Sequence, residues 1–259
     1  MIDALYIGAS GLAAQQLQVD TVANNLTNVN TTGYKRSRVS FEDVMYREAR
    51  RANGVPGSEG NSLLVGSGVS VARVDKQFSA GDLKKTDNAF DIAIRGDGFL
   101  EAVMPDGSMA YTRTGRLTVN KEGLLATAEG LALRPQIAVP ADTKSLAISA
   151  DGLVTASFGD QRADEELGQI ELATFGNASG LKPVGENLYR STEASGEAGY
   201  GKPGEANRGA LAQGFLEASN VKLVDEMVNL MVAQRAYEVS SKVIQASDEL
   251  MSMSNNLRR

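Results

Sequence analysis

Ser219 and Lys222 have the spacing that comes closest to a known catalytic pattern in this chain. In Ser-x-x-Lys acylases the serine hydroxyl is the nucleophile, and the lysine belongs to the machinery that activates it. The companion Ser-Asp-Asn and Lys-Thr-Gly motifs of those enzymes do not occur in the sequence. Ser219 or Asn220 also suits the start of a helix, where a side-chain oxygen caps free backbone N–H groups. We therefore favour the helix-cap interpretation.

Acidic residues occur in adjacent groups, and two carboxylates facing each other across a cleft would suit glycoside hydrolysis. The groups are Glu42-Asp43, Asp164-Glu165-Glu166 and Asp225-Glu226. Adjacent residues do not face each other on a helix, so these groups do not form such a pair. The chain also has no His and no Cys, which removes the commonest general base, the commonest metal ligand and all thiolate chemistry. We predict that the protein is not an enzyme and holds neither a cofactor nor a metal.

Arg95-Gly96-Asp97 matches the tripeptide known from cell-adhesion proteins, and Gly98 follows it. A tight turn between two strands explains the same residues, because glycine permits positive φ angles. The tripeptide leaves a β-rich binding or adhesion module as an alternative function of a different class.

Composition limits the partners that the chain can have. Its 259 residues carry a formal net charge of −6 and include no Trp. Nucleic-acid binding requires clustered Lys and Arg or aromatic stacking surfaces, so we predict no nucleic-acid partner. No run of about 18 apolar residues occurs, which predicts no membrane insertion. Residues 1–6 lack the basic and apolar regions of a conventional secretory signal.

Apolar residues repeat every seven positions near the amino end, which predicts a helix with one apolar seam. The seam consists of Leu5, Leu12, Val19, Val22 and Leu26. Gly8 is a weak seam position and Gly11 lowers helix propensity, so we expect a partner to order this helix. Asn24, Asn25 and Asn28 near its end either turn the chain or hydrogen-bond a neighbouring subunit, and both alternatives remain open.

A second heptad repeat lies near the carboxyl end. The residues that we assign to its interface are Leu223, Met227, Leu230, Gln234, Tyr237, Ile244 and Met251. Beside them runs a row of small side chains, namely Ala233, Ser240, Ser247 and Ser254. A groove of small residues next to a wide apolar face suits close packing against more than one helix.

Between these ends the apolar period changes to two, and turn dipeptides such as Glu122-Gly123 and Asp151-Gly152 separate short apolar runs. We therefore predict an α+β fold, in which N- and C-terminal α-helices pair as a coiled-coil-like domain beside a central all-β domain of many short strands. The predicted parts are a helical assembly domain (1–35 with 214–259), a linker or extended segment (36–65) and a β-rich outer domain (66–213). Residues 195–209 also look like a linker by composition.

Motifs at both ends of the chain resemble those of a known family. The amino-terminal motif is Asn24-Asn25-Leu26 with residues 30–35 (Asn-Thr-Thr-Gly-Tyr-Lys), and the carboxyl-terminal motif is Ser219-Asn220-Val221 with Glu226-Met227-Val228 and residues 234–238 (Gln-Arg-Ala-Tyr-Glu). Both resemble the terminal signatures of bacterial flagellar basal-body rod and hook proteins. Residues 91–99, 111–115 and 185–189 resemble the β-domain of that family.

One further segment is similar to a stretch found in the distal-rod members of that family. It runs from Phe41 to Ser62, and its rod-type residues are Tyr46, Arg47, Arg50, Arg51, Pro56 and Ser62. In the family this stretch is thought to stiffen the tube, so that the rod stays straight where the hook bends. The resemblance therefore implies a distal-rod subunit, with a proximal-rod or hook subunit as the alternative.

The family resemblance also implies how such a subunit works in bacterial motility. It would polymerise into a rigid helical tube that transmits torque and forms the export channel. Its partners would be further copies of itself, other rod subunits, hook subunits, the surrounding basal-body rings and the flagellar type III export apparatus. It would reside in the basal body across the periplasm and be exported without a cleaved signal peptide.

Overall fold

The computed structural model describes residues 2–44, 46–49, 63–158, 164–205 and 208–256. A long α-helix lies at each end of the chain: α1 spans Ile2–Thr27 and α2 spans Leu223–Asn256. Both helices are rich in Ala, Leu and Gln or other good helix formers, and apolar residues recur along them at helical spacing. The prediction of two terminal helices is confirmed.

Short strands occupy the middle of the chain. They are β1 (Ser37–Asp43), β2 (Tyr46–Ala49), β3 (Leu63–Gly66), β4 (Val69–Lys76), β5 (Leu83–Lys85), β6 (Ile92–Arg95), β7 (Leu100–Val103), β8 (Met109–Thr112), β9 (Leu117–Val119), β10 (Leu125–Thr127), β11 (Leu133–Arg134), β12 (Ser145–Ile148), β13 (Leu153–Ser157), β14 (Glu165–Gln169), β15 (Leu172–Thr174), β16 (Lys182–Gly185), β17 (Leu188–Arg190), β18 (Gly199–Gly201), β19 (Ala210–Gln213) and β20 (Phe215–Glu217). Together with the helices they confirm the predicted α+β fold class.

Contacts divide the chain into two compact units, each assembled from separate stretches of sequence. The helical unit comprises Met1–Thr27, Ser37–Asp75 and Lys222–Arg259, and the β unit comprises Asn28–Arg36 and Lys76–Val221. The helical unit thus takes in β1, which pairs with β4, and β2, which pairs with β3. Composition predicted a linker over residues 36–65, because residues 47–62 are polar and rich in Gly. The predicted division into assembly domain, linker and outer domain stays a prediction about the assembled protein.

The β unit is built from small antiparallel sheets. The largest has the strand order β11-β7-β8-β17-β16, and a three-stranded sheet has the order β12-β13-β14. β18 pairs with β15, so the described part of residues 195–209 is not simply the loop linker that its composition suggested. The backbone hydrogen bonds of this pair hold a Gly-rich segment in a strand despite its low strand propensity.

Two groups of buried side chains fill the β unit. The aliphatic group consists of Ile92, Ile94, Leu100, Ala102, Leu117, Leu125, Leu133, Ile137, Leu146, Ile148, Val154, Ile170, Leu172 and Leu211. In the aromatic group, Phe78 packs edge-to-face against Phe99 and Tyr189, with ring centroids 5.1 and 5.0 Å apart. These apolar contacts supply the main favourable contribution to folding of the unit.

Residues 95–98 form the turn that the sequence suggested. Gly96 has a φ of 122° and Gly98 a φ of 141°, which side chains with a Cβ rarely adopt. β6 ends at the start of this turn, and β7 begins after it. The turn explains both glycines of the Arg-Gly-Asp-Gly sequence without an adhesive role.

Candidate assembly interface

The two helices pack in opposite directions within the helical unit. A Cβ atom placed on Gly8 would lie 2.7 Å from Ile244 Cγ1, and one placed on Gly11 would lie 3.6 Å from Ser240 Oγ. Residue numbers therefore rise along α1 as they fall along α2. The missing Cβ at position 8 leaves room for the Ile244 side chain against the α1 backbone, so the helix contact is close.

The face of α2 that turns inward carries small side chains. Ala233 is 2% exposed and Ser247 is 9% exposed, while Ser240 is partly buried. The Ser247 hydroxyl donates to the Val243 carbonyl at 2.8 Å, so its burial leaves no unpaired donor. On α1, Ala14 is likewise buried. The predicted groove of small residues is therefore the inward face of α2.

Most large apolar side chains of α2 lie outside this contact. The exposed ones are Leu223, Val224, Met227, Val228, Met231, Val232, Tyr237, Val239, Val243, Leu250 and Met253. Many recur three or four residues apart and thus form a stripe along the helix. Contiguous exposed apolar surface of this kind marks an interaction site. Over the described residues, neither helix is both long enough and apolar enough to span a membrane.

The predicted interface residues differ in how far the subunit itself covers them. Val22 and Asn25 are buried; Leu5, Leu12, Val19, Leu26, Asn28, Leu230, Ile244 and Met251 are partly buried; Asn24, Leu223, Met227, Gln234 and Tyr237 are exposed. The exposed group remains accessible to other chains, whereas the buried pair serves internal packing. Their assignment to an interface between subunits stays a prediction.

The rod-type segment is only partly covered by the structure. Tyr46 and Arg47 lie in β2, and Arg50, Arg51, Pro56 and Ser62 lie outside the described residues.

Asn25 joins three segments of the helical unit. Its Nδ2 donates to the Ser37 carbonyl at 2.8 Å, and its Oδ1 accepts from the Ser37 N–H at 2.8 Å. The same Nδ2 donates to Glu226 Oε2 at 3.1 Å. Asn25 is 1% exposed and Glu226 is 0% exposed. One side chain thus ties the end of α1 to the first residue of β1 and to the first turn of α2.

Asn24, Asn25 and Asn28 were predicted either to turn the chain or to hydrogen-bond a neighbouring subunit, and the outcome differs at each position. Asn25 bonds within its own chain, as just described. Asn28 accepts from the Thr31 hydroxyl at 3.1 Å, and its carbonyl accepts from the Thr31 N–H, so it forms a turn in the β unit. Asn24 lies on the exposed side of α1, where both alternatives remain open.

In the β unit, Lys35 of the amino-terminal motif meets Glu217, a residue that sequence analysis missed. Glu217 Oε1 accepts from Lys35 Nζ at 2.7 Å and from the Gly81 N–H at 2.9 Å, and Oε2 accepts from Arg113 Nε at 2.9 Å. None of the three charged side chains is more than 1% exposed. Burial lowers the pKa of the Lys35 ammonium, Arg113 lowers it further, and Glu217 opposes both. The only signal in the sequence was a carboxylate ending the apolar Phe-Leu-Glu strand.

Neighbouring motif residues fit the same buried cluster. Gly33 has a φ of 70° and donates its N–H to the Glu217 carbonyl at 2.8 Å, while an added Cβ would lie 3.0 Å from Thr114. The Lys76 ammonium lies 4.2 Å from the centre of the Tyr34 ring, a cation–π contact. The Thr-Gly-Tyr-Lys sequence is therefore explained by packing inside the subunit.

The predicted helix cap at Ser219 or Asn220 is wrong, because α2 begins only at Leu223. Asn220 instead donates through Nδ2 to the Gln77 carbonyl at 2.8 Å and accepts through Oδ1 from the Arg36 N–H at 2.8 Å. A side-chain amide that bridges two backbone segments satisfies more groups than a cap would. Ser219 Oγ accepts from the Val221 N–H at 3.3 Å within a local turn.

A polar cluster borders an open cleft of about 630 Å³ in the β unit. Tyr200 donates to Glu101 Oε1 at 2.7 Å, and the Tyr111 and Tyr200 hydroxyls lie 3.0 Å apart. Burial raises the pKa of both phenols, and the nearby Glu101 charge raises it further. A general base needs a pKa close to the working pH. The pKa values of both phenols are shifted upward, away from neutral pH, so the arrangement favours a structural role.

We expect the stability of the β unit to fall as the pH rises above about 10. The raised pKa values mean that unfolded phenols lose protons before folded ones, so the unfolded state binds fewer protons in this range. Urea unfolding followed at pH 8 and then at increasing pH measures this decline. A Tyr200→Phe variant should decline less steeply than the parent chain; an equal or steeper decline would contradict the assignment.

Three family models match the chain at positions that correspond to both motifs and the β unit. "Flagella basal body rod protein" matches residues 5–35, "Flagellar hook protein FlgE/F/G D1 domain" matches residues 93–156, and "Flagellar basal body rod FlgEFG protein C-terminal" matches residues 212–257. The first contains most of α1, and the last contains all of α2.

Full-length relatives agree with these matches. The chain is 44% identical to the flagellar basal-body rod protein FlgG of Borreliella burgdorferi over an alignment of 266 positions that covers 100% of both chains. It is 40% identical to FlgG of Caulobacter vibrioides, covering 99% of this chain and 100% of that protein. The flagellar basal-body rod protein FlgF of Caulobacter vibrioides is 35% identical over 96% of this chain and 95% of its own length. Within that organism, the chain is thus more similar to FlgG than to FlgF.

Proposed function

The chain belongs to the flagellar basal-body rod protein family, and we propose that it forms the distal rod. In this role it polymerises into a rigid helical tube that transmits torque and encloses the export channel. The greater identity to FlgG than to FlgF in Caulobacter vibrioides supports the distal assignment. The work is structural, and no catalytic step is assigned to the chain.

The exposed apolar stripe of α2 is the observation that carries this proposal. Val224 is 70% exposed and Val232 is 62% exposed, although both belong to a well-formed helix. Burying one such side chain is worth about 1.5–3 kcal/mol. A row of them therefore supplies a strong driving force for association with further helices. Repeated contacts of this kind between different faces of copies produce a helical filament.

The proposal places the protein in the basal body, where it crosses the periplasm. Neighbouring copies occupy the exposed face of α2, and other rod subunits and hook subunits adjoin the ends of the polymer. The surrounding ring proteins face its outside, and the flagellar type III apparatus exports each subunit without cleaving a signal peptide. The heptad residues Leu223, Met227 and Tyr237 belong to the contact between copies.

Electron microscopy of basal bodies from a strain that lacks this chain tests the distal assignment. We expect a short rod that lacks its outer section and carries no hook, because later subunits have no surface to build on. Restoring the chain from a plasmid should restore the full structure.

Two other results would each overturn the proposal. A complete rod without a hook would identify a hook-type subunit. Complete basal bodies would show that the chain is not needed for the rod, and a β-rich binding module would then be the better reading.

A further inference from the structure

We infer that the Asn25–Glu226 hydrogen bond fixes the register in which α1 and α2 pair. The bond joins Asn25 Nδ2 to Glu226 Oε2 at 3.1 Å, and both side chains are almost fully buried. It lies near one end of the helix pair, whereas the contact of Gly11 with Ser240 lies farther along. Together these contacts define one antiparallel alignment.

Packing alone specifies this alignment poorly. The inward face of α2 repeats small residues every seven positions, at Ala233, Ser240 and Ser247. If α2 moved by seven residues along α1, Gly11 would again face a small side chain. At Gly8, Tyr237 or Met251 would replace Ile244, so a large apolar side chain would again meet a glycine. The pattern of small and apolar residues therefore recurs in the shifted alignments.

The buried polar pair does distinguish the alignments. The shift that brings Ser247 to Gly11 would place Asn25 opposite Ala233, which offers no side-chain acceptor. The opposite shift would place Asn25 opposite Ser219, which lies before the start of α2 at Leu223. Either shift would separate Glu226 from the amide. A buried polar group without its partner is strongly disfavoured. Single buried polar pairs are known to specify helix register at some cost in stability. Asn25 is also held by both backbone groups of Ser37, so its amide cannot follow a shifted helix.

Engineered disulfides can measure the register directly, because the chain contains no Cys. Gly11→Cys combined with Ser240→Cys reports the native alignment. Gly11→Cys combined with Ala233→Cys or with Ser247→Cys reports a shift by seven residues, about 10 Å along the helix. That distance exceeds the reach of a disulfide in the native alignment. The linked fraction is measured after oxidation, in purified full-length protein and in isolated basal bodies.

We expect only the native pair to link in the parent chain. With Glu226→Leu, which keeps similar volume but removes the acceptor, the ratio of native to shifted links should fall by roughly tenfold or more. Glu226→Gln retains an acceptor oxygen and should keep the parent ratio. Circular dichroism checks that the helices persist, and Glu226→Ala replaces the leucine variant if it does not fold.

Three outcomes would overturn the inference. A Glu226→Leu variant that keeps its helix content and links only the native pair would assign the register to packing. An equal fall in the ratio of native to shifted links with Glu226→Gln and with Glu226→Leu would exclude the hydrogen bond as the cause. Failure of the native pair to link in both preparations of the parent chain would contradict the helix alignment itself.

Discussion

Replacing Glu217 with glutamine is expected to destabilise the β unit by about 3–5 kcal/mol. The substitution keeps the side-chain shape but leaves the Lys35 ammonium and the Arg113 guanidinium buried without a counter-charge. Solvent cannot screen either cation, because neither is more than 1% exposed. Urea unfolding of the purified chain, followed by tyrosine fluorescence in the absence of Trp, measures the loss.

A second substitution separates the charge effect from a packing effect. Adding Lys35→Met to Glu217→Gln removes one uncompensated cation and should restore part of the lost stability. Glu166→Gln, on the exposed side of β14, is the matched control and should change the free energy of unfolding by less than about 0.5 kcal/mol. If the losses in free energy of unfolding caused by Glu217→Gln and by Lys35→Met simply add in the double variant, the charge explanation is contradicted.

The pH dependence of the Glu217→Gln variant provides a further check on the same cause. Glu217 raises the pKa of Lys35 against the lowering effect of burial, so without Glu217 that pKa falls further. The folded variant then releases the Lys35 proton before the unfolded chain does. The difference in free energy of unfolding between the parent chain and the less stable variant should therefore shrink as the pH rises toward 10.5.

The helices and the strand-rich middle could be predicted because both depend on local periodicity. Seven-residue spacing of Leu5, Leu12 and Val19 is enough to indicate a helix, and alternation with glycine turns is enough to indicate short strands. The face that α2 turns inward was harder to identify. Apolar spacing indicates that residues such as Leu223 are destined for burial, but it does not indicate which chain buries them. In the subunit, the small row that contains Ala233 faces α1 instead.

The two buried polar clusters could not be derived from local pattern. Glu217 lies 104 positions from Arg113 and 182 positions from Lys35, so no sequence window contains the cluster. Asn25 and Glu226 are 201 positions apart. The family motifs did include Asn25, Lys35 and Glu226, but a motif records which residue stands at a position and not the contact that requires it. The motif residues at these positions hold the subunit together.

Replacing Val232 with aspartate is expected to abolish rod assembly without destabilising the isolated subunit. Val232 is 62% exposed, and aspartate has nearly the same helix propensity as valine. The free energy of unfolding should therefore change by less than about 0.5 kcal/mol. In the polymer, however, the proposed contact would bury a carboxylate against apolar side chains such as Val228 in every copy, which is strongly unfavourable. Swimming in soft agar and electron microscopy of basal bodies from a complemented null strain measure the result.

The matched control applies the same change outside the proposed interface. Val184, in β16, is 39% exposed, and Val184→Asp should support a normal rod and normal swimming. The amount of each variant that leaves the cytoplasm must be measured as well, so that failed export is distinguished from failed assembly. Normal rods with Val232→Asp would show that the exposed stripe of α2 is not the contact between copies. Because every subunit repeats that contact, even a modest loss of binding free energy per copy should shift the balance from polymer to monomer. Val232→Asp should therefore give almost no rods, whereas Val184→Asp should give normal ones.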